Sequence, residues 1–192
     1  MFTAMTDTTN IDFDSFSHGQ VKSKVWLCEQ LEPLLPPRSR VLILGSWVNL
    51  LGFMLLSRGA HRYSFVQGID LDPKNIKVAN KICDCWNIEG LHESVVGDAN
   101  TIDMQGSDLV INCSSEHMQS SQWFKNIPAG TLVCIQSSNI TDPAAPWLIA
   151  TPSPTLESFE HRYPLSKTLF LDTLPIVYQS WGYQRHMIIG IK

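Results

Sequence analysis

Three short segments between Arg40 and Ala99 constrain the fold of this chain more than any other feature. The first is a continuous apolar run that ends in a glycine, Val41-Leu42-Ile43-Leu44-Gly45. The second ends in an acid, Gly68-Ile69-Asp70, and the third reads Val95-Val96-Gly97-Asp98. Short apolar runs bounded by glycine or aspartate are typical of buried parallel strands. They predict an α/β fold in which three strands bring polar groups to one edge of a sheet, where such folds bind ligands.

These strand ends predict a nucleoside site. Gly45 has no Cβ, so the backbone there can approach a ligand closely. Asp70 follows 25 residues later, about where a βαβ unit places an acid near ribose hydroxyls. Asp98 is placed to accept from an adenine amino group, with the Ala99 backbone beside the ring. Asp72 can assist Asp70, or it can cap the helix that follows, and we consider capping its main role.

Residues 40–136 resemble the core of the class I S-adenosylmethionine (SAM)-dependent methyltransferases. Their turn, Gly45-Ser46-Trp47-Val48-Asn49, lacks the second and third glycines of a G-x-G-x-x-G dinucleotide fingerprint, so pyrophosphate would be crowded. The family usually has an acid before the first glycine, where Leu44 stands here. The resemblance implies SAM as cofactor, lined by Gly45, Ser46, Trp47 and, at the end of a fourth strand, Asn112.

The alternation of strands and helices predicts a Rossmann-like, doubly wound, mostly parallel sheet with helices on both faces. Two C-terminal strands bring the number to seven, and the resemblance implies that they form an antiparallel hairpin. We expect a flexible tail over residues 1–16 and one SAM-binding domain over 17–192. Strands are predicted at 40–44, 65–70, 93–96, 108–112, 131–136, 165–174 and 185–191, and helices at 18–35, 50–59, 73–82 and from Ser114 towards Lys125.

The stretch 137–163 is rich in proline and has little periodicity. A long irregular connection inside a compact domain is usually functional or disordered. Because it follows the fifth strand, it should lie over the ligand-binding edge, so it is interpreted as a substrate lid. A packed, passive crossover is the alternative.

The fourth strand runs into Asn112-Cys113-Ser114-Ser115-Glu116-His117-Met118. In class I methyltransferases this strand end faces the transferable methyl group, so Glu116 and His117 are the candidate general bases. The alternative is a surface pair in a first helical turn, where Glu complements the helix dipole. Methyltransferases of DNA bases carry an Asn/Asp-Pro-Pro-aromatic loop here, and this segment has no such prolines or aromatic ring, which argues against DNA base methylation.

A closer similarity is to small, stand-alone methyltransferase-like proteins of bacteria and their phages. It implies that Gln20 and Lys22 reach the SAM pocket and that Lys22 pairs with the methionine carboxylate. The alternative for both residues is the helix surface. The similarity rests on Ser17-His18-Gly19-Gln20, Lys22-Ser23-Lys24, Leu44-Gly45-Ser46-Trp47, Asn112-Cys113-Ser114-Ser115-Glu116-His117, Ile135-Gln136-Ser137-Ser138-Asn139 and Tyr183-Gln184-Arg185-His186-Met187.

The composition and charge of the chain limit the partners and the compartment that can be expected for it. The net charge of −4 and the absence of a basic run argue against nucleic acid binding without a partner subunit. No apolar run could span a bilayer, and the polar N-terminus does not resemble a signal peptide. Five cysteines, an odd number, fit a reducing compartment, so the cytoplasm is expected. Cys83 and Cys85, with His92 nearby, are spaced too closely for a structural zinc site, and we expect no metal.

The sequence therefore predicts a SAM-dependent methyltransferase that acts on a small-molecule or protein acceptor. One alternative is another SAM-consuming chemistry, such as SAM cleavage or aminobutyryl transfer. The other is a non-catalytic subunit of the same fold that binds a partner, for which Trp147-Leu148-Ile149 would supply an apolar surface.

Overall fold

The computed structural model describes residues 12–141 and 149–192 and contains a seven-stranded sheet. Its strands are β1 (Ser39–Leu44), β2 (Tyr63–Asp70), β3 (His92–Val96), β4 (Leu109–Asn112), β5 (Leu132–Ser138), β6 (Lys167–Val177) and β7 (Gly182–Ile191). They are ordered β3-β2-β1-β4-β5-β7-β6. The pairs from β3 to β5 are parallel, whereas β7 is antiparallel to both β5 and β6. The predicted sheet, including its C-terminal hairpin, is confirmed.

Helices cover both faces of this sheet, as predicted. They are α1 (His18–Leu31), α2 (Leu50–Gly59), α3 (Pro73–Ile82), α4 (Asp84–Ile88), α5 (Gln122–Asn126) and α6 (Leu156–Arg162). Alternate strand residues enter two separate cores because side chains of a strand point to opposite faces. Val41 and Ile43 pack with α1 and α2, whereas Leu42 and Leu44 pack with α5 and α6.

Two predicted helices are shorter in the structure. The first ends at Leu31 and continues as a 3₁₀ turn over Glu32–Leu34, because Pro33 has no N–H to extend the α-helix. The single helix expected from Ser114 towards Lys125 is wrong: a 3₁₀ turn over Ser115–His117 precedes the short α5.

Thr151 gives the physical reason for that interruption. Its hydroxyl donates to the carbonyls of Ser115 and Met118 at 3.0 and 3.2 Å, and its amide donates to the Glu116 carbonyl at 2.9 Å. Carbonyls that a continuous helix would use for its own i to i+4 hydrogen bonds are therefore bonded from a distant segment.

The stretch interpreted as a lid is divided in the structure. Ser137 and Ser138 belong to β5, and α6 brings Phe159 and the following Tyr163 into the core. Those portions are packed crossover, whereas Trp147 and the rest of 142–148 lie outside the described residues. So do residues 1–11 of the expected tail, whose last residues form a 3₁₀ turn over Phe13–Phe16. None of the described helices is both long and apolar enough to cross a membrane.

Candidate active site

A left-handed turn joins β1 to α2 at the carboxyl edge of the sheet. Gly45, Trp47 and Asn49 have φ angles of +59°, +53° and +51°, a region that residues with a Cβ rarely adopt. The positive φ favours glycine at position 45, whereas the nearest contact of an added Cβ, 2.9 Å from the terminal methyl of the flexible Met118, could be relieved by movement of that side chain. Asn49 holds the end of the turn, since its Oδ1 accepts from the Gly52 amide at 3.1 Å and caps α2.

The amides of this turn are bonded within the fold. Ser46 N donates to the Ile69 carbonyl, Trp47 N to Asp70 Oδ2, and Asn49 N to the Ser46 carbonyl, each at 2.8 Å. A dinucleotide pyrophosphate binds through free amides at such a turn. These three are already occupied, which disfavours a pyrophosphate at this position.

The side chains of Ser46 and Trp47 point into the fold. The Ser46 hydroxyl lies beneath the turn, so close to Gly68 that a Cβ there would come within 2.9 Å of it. Trp47 packs against the small apolar cluster of Val48, Leu50 and Val78. The Ser46 hydroxyl is buried and has no hydrogen-bond partner within the described residues, whereas Trp47 is partly exposed beside the turn.

A buried polar network that the sequence analysis missed supports the turn from below. Asn49 Nδ2 lies 2.7 Å from His92 Nε2 and donates to Ser94 Oγ at 3.1 Å. His92 Nδ1 lies 2.5 Å from Asn87 Oδ1, so the ring carries its proton on Nδ1 and accepts from Asn49 through Nε2. Burial lowers the pKa of His92 to about 4, which keeps the ring neutral. Within the described ranges, no group of three or more His, Cys, Asp or Glu side chains is arranged to hold a metal ion.

Asp70, the predicted ribose ligand, ends β2 at the carboxyl edge of the sheet, and its carboxylate holds the neighbouring backbone. Oδ2 accepts from Trp47 N at 2.8 Å, while Oδ1 accepts from Asp72 N at 3.0 Å and from Asn75 Nδ2 at 3.2 Å. A carboxylate has about four acceptor positions, so about one remains for a ribose hydroxyl. Asp72 is exposed and caps α3, because its Oδ1 accepts from Lys74 N at 2.8 Å.

Asp98 lies in the loop that follows β3, the next strand outward. Its Oδ1 accepts from the Asn100 amide and side chain at 2.8 and 2.9 Å, which leaves Oδ2 for another donor. The side chain of Ala99 is buried in the core, so only its backbone can border a ligand. Leu71, which directly follows Asp70, is 70% exposed, and Val96, the last residue of β3, is 55% exposed. The sequence analysis missed these two apolar side chains, which offer a surface to an adenine ring.

On α1, the predicted Lys22 and the neighbouring Lys24 are in different environments. Lys22 Nζ donates to the Pro175 carbonyl on β6 at 3.0 Å in an exposed contact. Lys24 is only 7% exposed, and its Nζ donates to Gln20 Oε1 at 2.6 Å. Burial lowers the pKa of Lys24, and an anionic partner would offset that loss of hydration. The sequence signal for Lys24 was present two residues after Lys22, in Lys22-Ser23-Lys24.

The end of β4 lies next to the turn at Gly45. Ser114 Oγ donates to the Gly45 carbonyl at 3.1 Å. Asn112 is buried, and its Oδ1 accepts from the Ser114 amide at 3.0 Å. Its Nδ2 has no hydrogen-bond partner in the part of the chain that the structure describes, so this buried donor is available for a ligand.

The two candidate bases after β4 are in different environments. Glu116 is buried and forms an ion pair with the equally buried Arg185 of β7, with Oε1 at 2.5 Å from Nη1. The next residue, His117, is exposed. The Glu116 carboxylate is therefore held inside the fold by a guanidinium, whereas the side chain of His117 reaches the surface. The pairing of Arg185 with Glu116 was not predicted from the sequence.

Similar solved structures identify the fold. The MccD protein aligns with a TM-score of 0.68 at 13% identity over 91% of this chain and 98% of that one. Geranyl diphosphate methyltransferase, solved with GPP and sinefungin, gives 0.66 at 12% identity over 90% and 77%. This chain has the class I methyltransferase fold. Magnesium protoporphyrin IX methyltransferase from Synechocystis PCC 6803, solved with SAH, gives 0.65 at 12% identity over 89% and 83%.

The chain resembles these proteins in structure and not in amino-acid sequence. No protein-family model and no curated protein sequence matches the chain. The class I methyltransferase fold nevertheless accounts for the position of the Gly45 turn, Asp70 and Asp98 at one sheet edge, which is where open α/β sheets bind their ligands.

Proposed function

We propose that this protein transfers a methyl group from SAM to a small-molecule or protein acceptor. The observation that carries the proposal is the placement of Asp70 and Asp98 at neighbouring strand ends, with the exposed Leu71 and Val96 beside them. Two carboxylate acceptors on either side of an apolar surface fit the ribose and the amino group of an adenosine.

The remaining contacts fit SAM better than a dinucleotide. The occupied amides of Ser46 and Trp47 offer little to a pyrophosphate. Lys24, buried beside Gln20, supplies a cation for the methionine carboxylate. We therefore assign that role to Lys24 instead of Lys22.

SAM, when bound, supplies an activated sulfonium methyl group, so the protein has mainly to position the acceptor and accept its proton. Asp70 and Asp98 hold the adenosine, and the turn at Gly45 fixes its approach to the end of β4. His117, which follows that strand, is the candidate base. Glu116 acts instead as a positioning residue, because it is paired with Arg185.

Incubation of the protein with labelled SAM, followed by mass spectrometry of the adenosyl product, tests this function. Methyl transfer yields S-adenosylhomocysteine (SAH) in the presence of an acceptor. Methylthioadenosine would instead indicate SAM cleavage or aminobutyryl transfer. Failure of SAM and SAH to bind at all would contradict the proposal and favour a non-catalytic subunit.

A further inference from the structure

A buried cluster of polar side chains, here called the chamber, lies beneath α1, at the carboxyl ends of β4 and β5 and the amino end of β7. We define it by Glu116, Gln136, Ser138 and Arg185, none of which is more than 4% exposed. Ser138 and Arg185 are register partners on β5 and β7, and Gln136 lies two residues earlier on the same face. Glu116 reaches them from the turn after β4 through its ion pair with Arg185.

Every member of the chamber has an unused polar atom. Glu116 Oε2, Gln136 Oε1, Ser138 Oγ and Arg185 Nε are buried and have no hydrogen-bond partner within the described part of the chain. Buried polar atoms are nearly always paired in native proteins, and charged ones are the costliest to leave unpaired. Four such atoms from three strand ends, two of them on charged groups, indicate a ligand that supplies the missing partners.

The chemistry of the four atoms defines that ligand. Glu116 Oε2 and Gln136 Oε1 accept hydrogen bonds, so they need a donor, and the negative charge of Glu116 favours a cationic one. Arg185 Nε donates and Ser138 Oγ can donate, so these two need an acceptor, and the Arg185 charge favours an anionic one. Glu116 and Arg185 have opposite charges, which match a ligand group that has an ammonium beside a carboxylate. The nearby Lys24 ammonium, which interacts electrostatically with both side chains, adds a positive charge on the α1 side.

The position of the chamber relates it to the acceptor. Asp70 and Asp98, which the proposed function assigns to adenosine, follow β2 and β3, whereas the chamber lies over β4, β5 and β7 on the other side of β1. In an in-line displacement the acceptor atom attacks the methyl carbon from the side opposite the departing sulfur. The acceptor therefore lies on the far side of the β4 end from the adenosine, which is the side of the chamber.

We propose that the chamber binds the α-amino-acid group of the methyl acceptor, an inference that rests on the proposed function. The ammonium contacts Glu116 and Gln136, and the carboxylate contacts Arg185 and Ser138. Methyl transfer then occurs at a nucleophile elsewhere on the same acceptor, whose lone pair forms the new bond to carbon while the carbon–sulfur electron pair remains on SAH. The proton of that nucleophile passes to a base.

Thermal-shift and calorimetric titrations of the full chain test this inference. Each of the common L-amino acids is added to the protein with SAH, together with the matching carboxylic acid without the amine and the matching amine without the carboxylate. We expect at least one amino acid, and neither of its matched analogues, to raise the melting temperature. Its Kd should rise about 10-fold or more in Glu116→Gln and Arg185→Lys, which each weaken a charge-assisted contact.

The exposed ion pair of Glu32 and Arg58 supplies matched controls, because Glu32→Gln and Arg58→Lys make the same chemical changes outside the chamber. Ser138→Ala, a small change, should weaken amino-acid binding about 3-fold and covers the case in which the charged variants do not fold.

SAH affinity in the same variants separates this inference from the proposed function. SAH binding retained in Ser138→Ala, Glu116→Gln and Arg185→Lys, together with weaker amino-acid binding, supports the acceptor site. Loss of SAH affinity in these variants would place the cofactor's own methionyl group in the chamber and overturn the inference while the proposed function survives. An SAH-induced shift with no response to any amino acid would also overturn it. Absence of SAH binding to the unaltered protein would refute the proposed function itself.

Discussion

Replacement of the Asp70 carboxylate should be the most informative single substitution, because this group holds both the backbone and the proposed ribose. In Asp70→Asn one oxygen becomes an NH₂ group. Trp47 N and Asp72 N donate to opposite oxygens of the carboxylate, at 2.8 and 3.0 Å, so either orientation of the amide turns its NH₂ towards a backbone N–H. We expect about 1–3 kcal/mol of lost stability from the unsatisfied group, measured by urea denaturation.

SAM affinity should fall as well. A ribose hydroxyl that donates to a charged oxygen contributes about 1.5–3 kcal/mol, so its loss should raise the Kd for SAM and SAH by about 10–100-fold. Isothermal titration calorimetry, at a temperature where Asp70→Asn is folded, measures this change. The structure leaves about one acceptor position on the carboxylate, so the lower half of that range is the better expectation.

Asp72→Asn is the matched control for that experiment. Asp72 is exposed and caps α3, and Asn caps helices about as well as Asp, so both stability and SAM affinity should stay close to those of the unaltered protein. Unchanged SAM affinity in a folded Asp70→Asn protein would refute the assignment of Asp70 to the ribose. A large loss of affinity in Asp72→Asn would show that simple charge removal, and not the Asp70 contact, explains the result.

Three further predictions follow from the site. SAM and SAH should raise the melting temperature while NAD does not, because the turn amides, including that of Trp47, are occupied; a larger shift with NAD would indicate a dehydrogenase. In the folded protein, burial lowers the pKa of His92 to about 4, whereas in the unfolded chain the ring takes up a proton near pH 6.5. Between pH 7 and 4.5 the unaltered protein should therefore lose about 2–3 kcal/mol of unfolding free energy, and His92→Gln should not show this loss. Urea denaturation at both pH values measures this, with the exposed His61→Gln as control, and equal losses in all three proteins would contradict it. His117→Ala should lower turnover about 10²–10⁴-fold with SAM affinity unchanged if its imidazole is the base, whereas lost SAM affinity would assign His117 to cofactor binding.

The mixed success of the secondary-structure predictions has a local physical basis. Strands such as 40–44 are predictable because a short apolar run between polar residues can bury both faces only inside a sheet. The end of α1 depended on Pro33, whose effect on the backbone is local, although the sequence analysis placed the end later. The interrupted helix after Ser114 was not predictable, because Thr151, 36 residues beyond Ser115, takes its carbonyls.

The residues of the candidate site also divide into those whose positions follow from local sequence and those whose environment depends on distant packing. The positions of the glycine turn, Asp70 and Asp98 at one sheet edge could be predicted from the chain, because each lies at the end of a predictable strand and parallel strands end at the same edge. Lys24 and Lys22 could not be distinguished from sequence, since burial of a helix side chain depends on what packs against it; here β6 bonds the Lys22 ammonium through the Pro175 carbonyl.

The sequence by itself determined the α/β architecture of this protein and the edge of the sheet at which its ligand groups meet, because both follow from short-range apolar patterning and strand order. Only the tertiary structure decided which charges are paired. Glu116 and Arg185 are 69 residues apart and come together because β7 inserts antiparallel beside β5. Long-range pairing of this kind depends on the packed geometry, so the sequence could not show that Glu116, a candidate base, is buried in an ion pair with Arg185.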